Sequence, residues 1–386
     1  MRQRLRRFDR LGTLLTVLVG AALIFLPFVV FKANRIVPGE PRALVAVLPG
    51  WATAALCACL TLVAVAALGV SNARARFAAS LCGIAAAAAA VAAAANRLTP
   101  LGDNIVRIAP GAGFWVLLLG LGLMGTDAVA RMRLSPVARV GLLMCFLFVV
   151  YVTFASGAFD SLSIMREYAV NAGRFANEAR RHIALSVGSM GAAVVVALPI
   201  GILCHRLPRL RPGVLGVLNV VQTIPSIALF GILMVPLGAL ALSVPLAARL
   251  GVSGIGAAPA AVALFLYSLL PIVANTVVGL GRVSPATVEA ARGMGMTPRQ
   301  VLTGIELVLA LPVILTGIRI VLVQNIGLTT IAALIGGGGL GAFVFQGIGQ
   351  TATDLVLLGA IPTVALAFCA AVVLDAIVEL LDRAKS

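Results

Sequence analysis

Charge is what this sequence has least of. Charged residues fill 11% of its 386 positions, against about 25% in ordinary soluble domains. With hydrophobic residues at 61%, a soluble enzyme with a separate catalytic domain is excluded, and so is a disordered chain. Lysine and histidine are nearly absent: Lys32, Lys385, His182 and His205 are all there are. A phosphate-cradling loop needs Gly-x-x-x-x-Gly-Lys-Ser/Thr, and Lys385-Ser386 follows Ala384 instead. No Gly-x-Ser-x-Gly nucleophile elbow occurs either. The chain is therefore not expected to bind ATP in this way or to perform bond chemistry. Of the six cysteines, Cys57-x-Cys59 lacks structural-zinc spacing and a neighbouring His or carboxylate. All six read as packing thiols in apolar runs, with no metal site and no disulfide framework.

What is present in quantity is long apolar runs. A membrane helix uses about 20 residues, and ten runs of that order can be drawn. Five lie at roughly 11–31, 43–70, 77–95, 111–130 and 137–155, and five more at 183–203, 213–236, 258–280, 311–334 and 355–379. The first follows a basic start, Met1-Arg2-Gln3-Arg4, but it is long for a signal-peptide core and no small-residue cleavage site follows. It is expected to remain as a span. The alanine run Ala85–Ala95 is a weak hydrophobic signal, yet it is helix-prone and small enough for close helix packing.

The net charge of +16 sits in short basic clusters between the runs. It fits loops facing anionic lipid rather than a nucleic-acid surface, so no nucleic-acid partner is expected. With ten spans and the N-terminus inside, 18 cations fall on the cytoplasmic side and 10 outside. That bias predicts cytoplasmic N- and C-termini. The polar stretch Ser156–His182 separates the two groups of spans and predicts a hinge or an amphipathic segment. The expected division is thus an extension of about five spans at 1–180 and a second group at 181–386.

Charges within or near spans are functional candidates by default. Asp127 stands four residues before Arg131 and reads as an i,i+4 pair. Asp354 opens the last span, where a carboxylate suits a helix N-terminus. Asp375, Glu379 and Asp382 approach its other end, and Arg319 is placed to snorkel. No carboxylate stands clearly at a span midpoint, which counts against an ion-coupled secondary transporter or channel, the alternative from a different class.

Three segments carry distinctive patterns. Between the eighth and ninth spans, about 282–306, Ser284-Pro285 predicts a helix start. Glu289, Ala290 and Ala291 follow, and Gly293 and Gly295 end or bend the helix. Thr297-Pro298 then caps a second short helix. The product is a helix–glycine–helix elbow able to dock into a partner's groove; as a bare pattern it also fits an ordinary interfacial loop. In the seventh span, Gln222, Thr223 and Ser226 flank Pro225. Proline frees a backbone carbonyl that neighbours must satisfy. This fits a bent polar helix lining a path, or plain interhelix hydrogen bonding. Gly336, Gly337, Gly338 and Gly339 cannot be a good helix interior, and read as a flexible turn or part of a gate.

The elbow resembles the EAA loop of bacterial ABC-importer permeases: Glu-Ala-Ala, three residues, Gly, nine residues, then Ile-x-Leu-Pro. Glu289, Ala290, Ala291, Gly295, Ile305 and Leu307 match. Val308 stands where the family has proline, and Leu311-Pro312 follows as a candidate break. Asn275-Thr276, Gln222-Thr223-Ile224-Pro225-Ser226 and Ile331–Gly341 resemble the osmoprotectant branch, which imports glycine betaine, choline and related quaternary amines. Ala342 replaces the aspartate usual there. The resemblance covers 181–386, and long members of the branch carry an N-terminal extension.

It implies an all-α membrane protein with a five-helix type I permease core in the bacterial inner membrane. It also implies cytoplasmic ATPase subunits that bind ATP and Mg, no cofactor on this chain, an extracytoplasmic substrate-binding protein, and a second permease subunit, identical or not. Glu289, Ala290, Ala291, Gly293 and Gly295 become ATPase-coupling residues. Gln222, Thr223, Pro225, Ser226, Asn275 and Gly336–Gly339 become path or gate residues. Import of an amino acid such as methionine is the alternative within the class.

Overall fold

A computed structural model describes residues 9–34, 37–100 and 105–383. The basic residues before Phe8, Arg35, Lys385 and both chain ends, on which part of the orientation argument rests, lie outside the described residues. The structure is almost wholly helical. It divides into two units, one reaching Ala138 and including Met144–Val170, the other taking Arg139–Leu143 and continuing from Asn171.

The first unit begins with α1 (Arg10–Phe25), then β1 (Val29–Lys32), β2 (Glu40–Arg42), α2 (Leu44–Val47), α3 (Gly50–Gly69), α4 (Ala73–Leu98), β3 (Arg107–Pro110), α5 (Ala112–Met132) and α6 (Pro136–Ala155). Here two expected spans are corrected. The run 11–31 is helical only to Phe25. Leu26 precedes Pro27, which biases it toward extended backbone, and Val29–Lys32 pairs with both other strands in the order β2-β1-β3. The run 43–70 is broken at Leu48-Pro49, so its crossing helix is α3.

The apolar core of this unit joins Leu15, Leu56, Leu60, Val63, Leu117 and Leu121. The alanine run lets α4 approach closely: Ala87, Ala94 and Ala95 are fully buried. At one end of the unit, buried Arg76 pairs with Asp9, and Asp9 also accepts from Arg131 at 2.7 Å. The expected Asp127–Arg131 pair forms at 2.8 Å. Above all, the hydrogen bond from Arg76 holds the Asp9 carboxyl below its ordinary value, against the opposing effect of burial.

The second unit contains α8 (Arg211–Thr223), α9 (Ser226–Ser243), α10 (Pro245–Arg249), α11 (Ala257–Gly281), α12 (Pro285–Gly293), α13 (Pro298–Val301), α14 (Leu307–Ala332), α15 (Gly341–Gly349) and α16 (Thr353–Arg383). It is entered by α7 (Ser163–Arg206), 44 residues long, so of the two readings of Ser156–His182, a hinge or an amphipathic segment, the structure has helix from Ser163 on. At the usual rise α7 is about 66 Å long, twice the hydrocarbon thickness. The seventh expected span is broken rather than bent: α8 stops at Thr223, and Pro225 stands just before α9.

α11 and α14 pack through small residues. A Cβ on Gly317 would stand 2.8 Å from that of Asn275, and one on Gly279 3.0 Å from the Ala310 carbonyl. Asp354 lies in the first turn of α16, as the last span's start suggested. Arg319 pairs with Asp375, which also accepts from Arg139 at 3.0 Å. Among the described residues, nine helices are long and apolar enough to cross a membrane, and α1, at 16 residues, is the shorter tenth. All six cysteines are free thiols.

Candidate functional site

The elbow is built from local turn chemistry. Pro285 sits at the start of α12, where its missing N–H costs nothing. The helix closes in a left-handed cap: Gly295 has φ +84°, its N–H donates to the Arg292 carbonyl at 2.9 Å, and Met296 N–H reaches back to Ala291 at 3.2 Å. Thr297 then starts α13 with a reciprocal cap. Its N–H donates to Gln300 Oε1 at 2.8 Å, and Gln300 N–H donates to Thr297 Oγ1 at 3.4 Å.

Ala291 and Val301 are buried and fix the two short helices, while Glu289, Ala290, Gly293, Met294 and Gly295 are exposed. The elbow therefore offers an acidic residue beside small and apolar ones. The candidate break at Leu311-Pro312 is corrected, since Pro312 lies inside an uninterrupted α14. The irregularity lies upstream, in a π-helical turn at Leu302–Glu306. Such turns concentrate at functional sites. Buried Glu306 there pairs with Arg206 at the end of α7. Sequence reasoning passed over this pair, whose members stand 100 residues apart.

At the broken span, Pro225 supplies no N–H, so the chain's turn leaves polar backbone to satisfy. Two bonds join the break to α11: the one from the Tyr267 hydroxyl does this, and the one from Gln222 satisfies the Tyr267 carbonyl that Pro271 leaves free inside α11. Gln222 Nε2 donates to the Tyr267 carbonyl at 2.7 Å, and the Tyr267 hydroxyl donates to the Ile224 carbonyl at 2.6 Å. Thr223 donates to its own helix, at Val220, and Ser226 opens α9. Asn275 donates to Pro271 of its own helix at 2.8 Å and meets Gly317 rather than joining the break. Tyr267 is the residue sequence reasoning missed here. Deeper in the bundle, Asn325 donates to Ser268 Oγ at 3.0 Å and to the Ser186 carbonyl at 3.4 Å, linking α7, α11 and α14.

The four glycines form a turn after α14 that is buried except at Gly336. Gly336, Gly338 and Gly339 have φ of +76°, +73° and +83°, a region other residues rarely adopt. A Cβ on Gly338 would stand 2.7 Å from Arg181 Cδ and 2.9 Å from Glu178 Oε2. One stripe of α7 holds this backbone. Glu178 Oε2 accepts the Gly339 N–H at 2.6 Å, His182 Nδ1 accepts the Leu340 N–H at 3.2 Å, and Arg181 donates to the Gly336 carbonyl at 3.3 Å. Since Nδ1 accepts, the imidazole proton sits on Nε2 and is donated to the Ile326 carbonyl at 3.0 Å. His182 is fully buried.

Residues 9–165 match the family described as ABC transporter permease YehY, N-terminal domain. Residues 197–386 match the binding-protein-dependent transport system inner membrane component. The glycine betaine/carnitine/choline transport system permease protein OpuCD of Bacillus subtilis is 40% identical over 57% of this chain and 87% of its own length. The osmoprotectant import permease protein OsmW of Salmonella typhimurium is 42% identical over 50% of this chain and 84% of its own length. Among solved structures, a chain of the inward-facing MetNI methionine ABC transporter is 26% identical, with a TM-score of 0.44, covering 52% of this chain and 93% of that one.

Proposed function

The chain belongs to the inner-membrane permease subunits of binding-protein-dependent ABC importers, and from that premise we propose that its cargo is a small quaternary amine such as glycine betaine, choline or carnitine. The observation that carries the substrate class is the 40–42% identity to permeases named for those compounds and for osmoprotectants. ATP hydrolysis in this family belongs to a separate subunit, so no bond chemistry is asked of this chain.

The mechanism follows from the elbow and the turn. ATP and Mg are held by the partner ATPase pair, whose closure moves the docked elbow. Glu289, Ala290 and Ala291 supply the docking helix, and Gly293 and Gly295 its bend. A second permease core, identical or not, completes the path, and an extracytoplasmic binding protein delivers the substrate. Gln222, Thr223, Pro225, Ser226 and Asn275 border the path; Gly336–Gly339 form its gate. Residues 181–386 make the permease core and 1–180 its extension. Both termini and the elbow face the cytoplasm, a reading supported by the 18:10 cation bias.

The test is uptake in cells stripped of their own osmoprotectant importers and supplied with this chain, its ATPase and its binding protein. Labelled glycine betaine, choline or carnitine should accumulate and be lost when the ATPase is inactivated. Accumulation of methionine with none of the three amines would overturn the assignment.

A further inference from the structure

The elbow and the glycine turn share two helices. α7 and α14 share apolar clusters, with Ala193 and Ala197 joined to Val321 and Leu198 and Ile202 to Ile314, and they are tied at both ends of the stretch of α7 from His182 to Arg206. At one end, Arg206 pairs with Glu306, whose carboxylate is almost wholly buried in the π-helical turn where the elbow runs into α14. At the other, His182 donates to the Ile326 carbonyl, and Asn325 beside it donates to the Ser186 carbonyl. His182 and Arg206 are about 36 Å apart along α7, and Glu306 and Ile326 about 30 Å along α14. A single tie lets two packed helices pivot or slide. Two ties separated by about the hydrocarbon thickness fix their register. Sliding would also leave a buried carboxylate without its guanidinium.

The glycine turn adds the last link. It has no slack against α7: Gly338 has no room for a Cβ, and Glu178, Arg181 and His182 bond its backbone at three points. We propose that α7 and α14 act as one strut between the elbow and the glycine turn, with Arg206, Glu306, Glu178 and His182 as its positioning residues. A displacement of the elbow is then a displacement of the turn, with no lost motion between them. The inference rests on the reading of the elbow as the ATPase dock and of the turn as a gate.

The test uses the full chain assembled with its ATPase and binding protein, all six native cysteines replaced, and Leu334→Cys as a reporter. Leu334 stands beside the turn and is 49% exposed. Labelling by a membrane-impermeant maleimide is compared in the nucleotide-free and ATP-trapped states. The wild-type background should show a several-fold change in labelling rate. Glu306→Gln should bring that ratio close to one and cut uptake at least tenfold while ATP hydrolysis continues. The exchanged pair, Arg206→Glu with Glu306→Arg, should restore both, which a general loss of packing would not allow.

Should Glu306→Gln fail to assemble, His182→Leu carries the same criterion at the other end, away from the ATPase. Variants that assemble and keep the wild-type ratio would overturn the strut while leaving the gate standing. A wild-type ratio of one would overturn the gate reading itself, and the strut with it.

Discussion

Tyr267 illustrates what a broken membrane helix requires of its neighbours. Its hydroxyl satisfies the Ile224 carbonyl beside Pro225, and its own carbonyl accepts from Gln222. Tyr267→Phe keeps the ring and orphans the carbonyl, so it should destabilise the protein by about 1–3 kcal/mol. Thermal unfolding in detergent measures this, and an unchanged Tm would show that the carbonyl finds another donor. Asp9 gives a pH-dependent case. Its carboxyl is held below the ordinary value, chiefly by Arg76. Stabilisation from a depressed carboxylate is complete above the unfolded value and is lost as pH falls through the folded one. The Tm difference between wild type and Asp9→Asn should therefore be full at neutral pH and shrink below about pH 4. A difference that grows on acidification would contradict the pairing.

Among the elements, the elbow is the one whose sequence and structure agree most closely. Glu289→Lys inverts the charge of an exposed docking residue. Gly295→Asp forces a side chain onto φ +84°, at a cost of about 1–2 kcal/mol. Either should leave the protein in the membrane yet reduce uptake at least tenfold. Wild-type uptake at normal membrane levels would remove the elbow from the coupling path. The elbow was legible because its turn is written locally: Pro285, Gly295, Thr297 and Gln300 each act within a few residues.

The ties to α7 were not legible, for the opposite reason. His182 meets Leu340 and Ile326, and Arg206 meets Glu306, across 100 residues or more. No periodicity or spacing reports such partners. The partner of Arg319 was hidden in the same way, since Asp375 lies on another helix. Strand β1 was hidden because Val29, Val30 and Phe31 continue an apolar run without a change of composition. Only Leu26-Pro27 marked where the helix stops.

At the scale of the molecule, orientation and energy source are the two properties that decide function. A reporter fused after Ser386 should be active in the cytoplasm, and one inserted at 160–175 active outside. Opposite signals would put the elbow on the side where no ATPase exists. The energy source is open to a single direct measurement. The purified chain, its ATPase and its binding protein are placed in sealed proteoliposomes oriented to receive ATP at the elbow face, and labelled glycine betaine is supplied with the binding protein. Accumulation against a gradient should require ATP and the binding protein together, should persist when sodium and proton gradients are collapsed, and should vanish with Glu289→Lys. Accumulation driven by an ion gradient in the absence of ATP would contradict an ATP-driven importer outright.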